Sequence, residues 1–470
     1  MKPSYHPALA LAAAGGSLSP AASWASDAEL EQQVRALVAR VSQLENQLAQ
    51  EQAARDQQTQ PLDQKVRVLE RKLEIQEEAA AAQAAADLQK GVKVSHNGRS
   101  IKFASNDGNF VFQPGGRVQV DAAHYERDRQ ALGDGTAIRR ARLSAQGTVY
   151  RDWDYKVEYE FSDSKANPAA RGIRNAYVSY IGWRPVTVTV GNFKEPFSFE
   201  QVTSDSAVTF LERSLIDVFA PSRHIGAAVQ TSGANWSLAG GVFGERPEDD
   251  VANEGDEGID LTGRATWAPW WDNGRVLHLG AAVRRLDPND STNGLRFASR
   301  PETNITDVQL LDTGVLARTD HILSYGLELA GEWGPWSLQG EYIGTQVDRK
   351  SVADVDLGGW YVLASWLLTG ESRPYKVSEG VFDRVTPTRI VGQGGGGAWE
   401  LALRLSELDL NDGALTGGRE RNLTAGVNWH LTPNVKLQAS YIRVLELDRP
   451  GNAANDDEPS AYTLRAQVDF

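Results

Sequence analysis

Apolar and polar residues alternate strictly over the last nine positions, Tyr462-Thr463-Leu464-Arg465-Ala466-Gln467-Val468-Asp469-Phe470. A β-strand turns successive side chains to opposite faces. Tyr462, Leu464, Ala466, Val468 and Phe470 therefore share one face, and Thr463, Arg465, Gln467 and Asp469 the other. The rhythm recurs upstream. Trp153, Tyr155, Val157, Tyr159 and Phe161 oppose Asp154, Lys156, Glu158 and Glu160. Ile259, Leu261, Ala265 and Trp267 oppose Asp260, Thr262, Arg264 and Thr266, and Trp399, Leu401, Leu403 and Leu405 oppose Glu400, Arg404 and Ser406. A soluble sandwich would bury the apolar face against a second sheet. Here that face carries Trp and Tyr near the strand ends, as a membrane-spanning barrel does with lipid outside and water inside.

The fold expected is all-β, an antiparallel transmembrane β-barrel of about sixteen strands, preceded by an α-helical coiled-coil segment. Strands should begin near Gly115, Ala137, Asp152, Ile173, Pro185, Arg223, Asn235, Gly258, Asn273, Thr319, Pro335, Asp354, Gly394, Arg419, Asn434 and Pro459. Arg151-Asp152, Ser232-Gly233, Gly334-Pro335 and Thr432-Pro433 read as tight periplasmic turns. Glu245 to Glu257, Asp287 to Arg318 and Arg449 to Glu458 read as long external loops. Glu371 to Gly397 breaks the rule: it is long but falls on the periplasmic side. It is expected to fold up into the lumen or cover the mouth, a miscounted strand being the alternative.

Before the barrel the pattern changes period. Leu30, Val34, Leu37, Val41, Leu44 and Leu48 are spaced 4-3-4-3-4, an a/d seam. Leu62, Val66, Leu69 and Leu73 repeat the spacing after Pro61, so two helical pieces with a break are expected. A narrow seam suits self-association, hence a periplasmic stalk over residues 26–90; an amphipathic helix lying on the barrel domain is the alternative. Residues 91–114 read as a connector with short strands, and 115–470 as the barrel. Residues 1–25 read as a secretory signal, with Lys2 ahead of the apolar Ala8–Ala14 stretch and Ser23-Trp24-Ala25 at the cleavage site.

Composition narrows the class. The 470 residues carry a net charge of -14, without cysteine. Thiolate chemistry and disulfide frameworks are excluded, and there is no basic stripe for nucleic acid. The acidic runs Glu248-Asp249-Asp250 and Asp456-Asp457-Glu458 read as solvated; bridging through divalent ions to lipopolysaccharide is the alternative. Beyond His6, His96, His124, His224, His278, His321 and His430 are not at metal-ligand spacing. No metal or cofactor is implied. Gly392-Gln393-Gly394-Gly395-Gly396-Gly397 contains G-x-G-x-x-G without the strand–helix context that a nucleotide site needs. No nucleophile motif accompanies Glu158 and Glu160, so an enzyme is not expected.

Candidate chemistry lies in the loop 194–222. Phe197, Phe199, Phe210, Leu211, Leu215, Ile216 and Phe219 are too many apolar residues for a solvated loop, so it should fold inward and narrow the pore. Cations gather nearby. Arg117, Arg140 and Arg142 have inward parity, Lys194 and Arg223 stand at the two feet of the loop, and Arg213 lies within it. Parity puts Arg139 outward unless the strand bulges there. Arginine forks bind phosphate-like anions bidentately, and rings of Arg/Lys make pores anion-selective. Against this, Asp154, Glu158, Glu160, Glu328, Glu332, Glu341 and Glu400 also have inward parity, and could pair with the arginines as a wall-stiffening network.

Several stretches carry a family resemblance. They are Arg139-Arg140-Ala141-Arg142-Leu143, Val190-Gly191-Asn192-Phe193-Lys194-Glu195-Pro196-Phe197, Phe210-Leu211-Glu212-Arg213-Ser214, Leu368-Thr369-Gly370-Glu371, Gly397-Ala398-Trp399-Glu400-Leu401, Asn428-Trp429 and Gln467-Val468-Asp469-Phe470. Together they resemble the phosphate-selective porins O and P of Gram-negative outer membranes. The resemblance implies a homotrimer of 16-stranded barrels among outer-membrane lipid and lipopolysaccharide. It also implies a third loop narrowing each channel, Arg117, the Arg139-Arg140 pair and Arg213 as constriction arginines, and uptake of phosphate or polyphosphate. The functional expectation is a passive anion-selective channel. The alternatives are a general or weakly cation-selective pore, and a tether between outer membrane and cell wall.

Overall fold

The structure is a computed structural model describing residues 27–163, 171–247, 257–272, 274–289 and 294–470. The expected signal segment 1–25, the strand start at Asn273 and the acidic run Glu248-Asp249-Asp250 lie outside the described residues. The chain divides into two units, residues 1–87 and 88–470.

The described residues of the first unit are helical. Asp27–Lys90 forms a single element of 64 residues that contains Pro61, about 96 Å long at 1.5 Å per residue. The expected break at Pro61 is thus corrected. A proline inside a helix forfeits one hydrogen bond and crowds a carbonyl, at roughly 3 kcal/mol. A break would instead create two new helix ends with unsatisfied backbone groups, and the flanking Ala, Gln, Glu and Arg are strong helix formers. The seam residues Val34, Leu37, Val41, Leu44, Leu48, Leu62, Val66, Leu69 and Leu73 are exposed.

Within the second unit, past the last helical residue Lys90, Val92–His96 pairs with Ile101–Ser105 as a hairpin. Sixteen strands follow: Phe110–Glu126, Gly135–Val149, Trp153–Glu160, Gly172–Tyr180, Val186–Lys194, Arg223–Ser232, Trp236–Phe243, Ile259–Asp272, Arg275–Asp287, Thr319–Trp333, Trp336–Arg349, Val355–Leu367, Ala398–Asp412, Leu415–His430, Val435–Asp448 and Ser460–Asp469. Each pairs antiparallel with the next. The last pairs with the first from Ser460↔Glu126 to Asp469↔Arg117, which closes the barrel. No helix among the described residues is long and apolar enough to cross a membrane; a closed barrel can span one because its strands satisfy one another's backbone groups.

Strand starts differ appreciably from expectation at three places, Phe110, Ala398 and Leu415; the others fall within two residues. The connector therefore ends at Asn109 rather than at 114. Pro114 suggested a later start, because it cannot donate to a ladder. The sixteenth strand ends opposite Arg117, so this part of the first strand lies beyond it and the missing N–H is tolerated.

Burial is inverted relative to a soluble protein. Tyr462, Leu464, Val468 and Phe470 are exposed, whereas Thr463, Arg465, Gln467 and Asp469 are buried. Tryptophans gather at the short-turn end, with Trp336 stacked on Trp366 and Trp399 on Trp429 at centroid distances of 4.5 and 5.0 Å. Such aromatic girdles mark the membrane interfaces of outer-membrane barrels.

Candidate functional site: a cationic passage along one wall

Three segments fold into the barrel. The loop between the fifth and sixth strands buries Phe197, Phe199, Phe210, Leu215, Ile216 and Phe219. It contains the short helix Phe199–Val202 and a 3-10 turn, Leu215–Phe219. The Glu341 carboxylate accepts the backbone N–H groups of Phe199 and Glu200 at 2.7 and 2.9 Å. Asn428 and Gln438 each donate to the Thr209 carbonyl at 2.9 Å. Arg404 stacks 4.7 Å above the Phe210 ring and donates to the Glu212 carbonyl at 3.1 Å. These contacts hold the loop against the inner face of the later strands.

The long connection before Thr319 also turns inward, although expected as an external loop. Phe297 meets Phe219 edge-on at 5.3 Å, and Glu302 pairs with Arg404 at 2.6 Å. From the short-turn end, residues 371–397 rise into the lumen. Phe382 packs on Phe199 at 5.7 Å, Arg264 donates to the Glu379 and Gly380 carbonyls at 2.7 and 2.9 Å, and Arg373 donates to the Ala207 carbonyl at 2.9 Å.

This filling covers four of the seven acids with inward parity. Glu341 is engaged by loop amides. Glu328 is held by Arg264 at 2.7 Å, Glu332 accepts the Arg373 N–H at 2.7 Å, and Glu400 accepts from Asn428 at 2.9 Å. All four point inward, but they lie beneath the folded segments. Among the described residues, cavities of about 390, 630 and 230 Å³ lie mainly against the first six strands. The first, toward the long loops, is lined by seven arginines (Arg139, Arg140, Arg142, Arg174, Arg213, Arg223 and Arg246) against Glu160, Asp205 and Asp217. The second sets Arg117, Arg142, Lys156, Lys194, Arg223 and Lys376 against Glu158, Asp205 and Glu379. The third, at the short-turn mouth, sets Arg99, Arg117, Arg142, Lys156 and Arg384 against Glu158 and Asp469. Cations exceed carboxylates in each, and Arg142 lines all three.

Two bulges aim extra side chains inward. The register between the first two strands shifts from Gln119↔Arg140 to Val120↔Ile138, leaving Arg139 as the extra residue. Its guanidinium turns to the lumen and grips Glu212 bidentately at 2.8 and 2.9 Å. Between the third and fourth strands the register passes from Glu158↔Asn175 to Tyr159↔Ile173, with Arg174 as the extra residue, lining the first cavity. Re-aiming a side chain beside a functional site is a recurrent use of bulges.

The remaining expected residues fall in the same region. Arg117 pairs with Asp469 at 2.5 Å, and Arg142 pairs with Glu160 and Asp205 at 2.7 Å each. Arg140 donates to Gln119 at 2.7 Å, and Arg213 pairs with Asp205 at 2.6 Å. Lys194 donates to the Gln201 and Thr203 carbonyls at 2.5 and 3.0 Å. Arg223 donates to Asn175 at 3.4 Å. On the loop, burial raises the cost of each charge, but clustered guanidiniums outweigh it and hold Asp205 and Glu212 well below the usual carboxylate range.

Parity missed Arg174 because of its bulge and Arg246 because it is in a loop, whereas Lys376 and Arg384 lie on the segment 371–397 that the sequence already places in the lumen or over the mouth. Asp205 carried no signal in the sequence. The fold also gathers Glu195, His224 and Asp260, whose ligand atoms lie within 4.8 Å of one another. That set is satisfied internally: His224 and Thr262 hold Glu195, and Arg284 holds Asp260.

Residues 112–470 match the family of phosphate-selective porins O and P. The chain belongs to that family. This outer-membrane porin is similar to porin O of Pseudomonas aeruginosa, 29% identical over 79% of this chain and 91% of the relative. It is also similar to an uncharacterized protein of Caulobacter vibrioides, 29% identical over 92% of this chain and 89% of that one. Among solved structures, an anion-selective porin from Comamonas acidovorans aligns with 77% of this chain and 100% of its own, at 14% identity and a TM-score of 0.47. A score of that size bears on neither the selectivity nor the assembly of this porin.

Proposed function

We propose that this porin is a passive, anion-selective channel for phosphate or related anions such as pyrophosphate and polyphosphate. The cation excess in three cavities that share Arg142 carries the reading. An anion entering from the long-loop side meets arginines that replace part of its water shell, then passes between adjacent sites of moderate strength. The carboxylates among them fix individual guanidiniums without cancelling the excess. Arg117, Arg139, Arg140, Arg142, Lys194, Arg213 and Arg223 are the path residues in this reading. The loop 194–222 is the constriction, and the short-turn end faces the periplasm. The exposed seam of the helix Asp27–Lys90 supports a stalk over 26–90 in which it meets its counterparts in a homotrimer.

Reversal potential in planar bilayers under a KCl gradient tests the reading. Anion preference is expected, falling when Arg140 and Arg213 are both replaced by alanine. Cation preference in the unmodified protein would sink it in favour of a carboxylate-dominated pore. Phosphate competition against chloride current then tests the anion class.

A further inference from the structure

Asp205 places a carboxylate within an anion route. With Arg142 and Arg223 it lines both the first and the second cavity, so a passing ion meets it where the two adjoin. One of its oxygens lies 2.7 Å from Arg142 Nη1, 3.3 Å from Arg140 Nε and 3.8 Å from Arg117 Nη1. The other lies 2.6 Å from Arg213 Nη2. An ordinary wall brace joins one carboxylate to one guanidinium, as Arg264 does with Glu328. Here four arginines, from the first two strands and the loop, converge on one buried side chain. Its two oxygens take the hydrogen bonds that the oxygens of a phosphate-like anion would take.

We infer that Asp205 is a tethered counter-ion of the path: it fills the guanidinium seats between passages, competes with each arriving oxyanion, and so keeps the site weak enough to release it. This rests on the anion-channel reading. Conduction needs binding that is favourable enough for entry and weak enough for exit. Without Asp205, the partners Asp469, Glu160 and Asp217 would still hold Arg117, Arg142 and Arg213, but the site would gain a unit of positive charge and hold a multivalent anion more tightly. A carboxylate on the loop supplies the balance without leaving the channel. Asp205 is thus a positioning and specificity-determining residue.

A merely structural role makes the opposite prediction. If Asp205 only braced the arginines, its loss would scatter them and weaken anion binding. If it competes for them, its loss strengthens binding. The measurement is inhibition of chloride conductance by inorganic phosphate, with the full-length protein in planar bilayers. Asp205→Asn should lower the half-inhibitory phosphate concentration by roughly fivefold or more, the least that removing a unit charge about 4 Å away gives in a water-like dielectric. Phosphate-blocked intervals should lengthen. Asp205→Glu should stay close to the unmodified protein. The double variant Asp205→Asn/Arg213→Gln, which restores the local charge balance, should move the value back. An unchanged or higher half-inhibitory concentration for Asp205→Asn overturns the inference, as does a double variant that binds phosphate still more tightly. If Asp205→Asn does not assemble, Asp205→Ser carries the same expectation and the same refutation. Reversal potential of the unmodified protein separates the two failures. Cation preference defeats the channel reading itself; anion preference without tighter binding in the variant defeats only the role of Asp205.

Discussion

Lys194 and Arg223 stand directly opposite each other on the fifth and sixth strands, and neither forms an ion pair among the described residues. Like charges at opposed positions destabilise a sheet, by about 0.2–1 kcal/mol in typical pairs. Lys194 caps backbone carbonyls at the end of the short loop helix, whereas Arg223 faces both cavities. Arg223→Gln should therefore reduce anion preference in reversal-potential measurements. The temperature of the heat-modifiable gel shift should stay unchanged or rise. A fall in that temperature would identify Arg223 as a structural brace instead.

Asp217 supplies a pH response. It lines the first cavity. Burial pushes its carboxyl up to about 6 against the pull of Arg213 and Lys194, with Glu200 and Asp205 pushing the same way as burial. Below that pH Asp217 is neutral and the cavity gains net positive charge; above it, the negative charge returns. Asp205 and Glu212 stay ionised throughout, because their arginines hold them low. Chloride preference should rise as pH falls from 7 to 5. Asp217→Asn should hold the low-pH value at both and flatten the step.

How far this molecule was legible in its sequence depends on what burial each residue meets. The rhythm of Tyr462 to Phe470 was readable because lipid and lumen impose opposite demands on alternate positions of one strand. Pro61 misled because a local penalty was set against the larger one of making two helix ends. Arg139 and Arg174 escaped simple parity because each bulge adds a residue that alternation does not count. Glu328, Glu341 and Glu400 were read correctly as inward, yet inward is not the same as open. Which inward positions face water depends on three long connections that fold back into the barrel. Their contacts with strands remote in sequence, such as Phe210 against Gly426, leave no periodic trace.

Gly426 offers a test of that loop seating. A Cβ built there would lie 2.8 Å from the Phe210 ring and 3.2 Å from Ser440 Oγ. Gly426→Ala should overpack the contact by about 1–3 kcal/mol, and a larger residue should dislodge the loop from the wall. Single-channel recording of Gly426→Leu should show a noisier and wider pore. Unchanged conductance would mean that the loop is held by its polar anchors alone.

Residues 371–397 narrow the barrel from the other end, and their removal separates pore width from selectivity. Phe382 is buried between Phe199, Tyr375 and the Arg373 guanidinium, which lies 5.2 Å from its ring. Arg264 adds two hydrogen bonds from the wall to Glu379 and Gly380. Phe382→Ala should release the segment, since losing a buried aromatic costs about 3–5 kcal/mol. Replacing residues 374–388 with a short Gly/Ser connection should remove it from the lumen. Conductance should rise in both variants, because the excluded volume becomes water. Anion preference should decline only partly, because the arginines of the first two strands and the loop remain. Loss of most of the preference in the replacement would instead assign selectivity to Lys376 and Arg384, the cations that the segment itself carries into the second and third cavities.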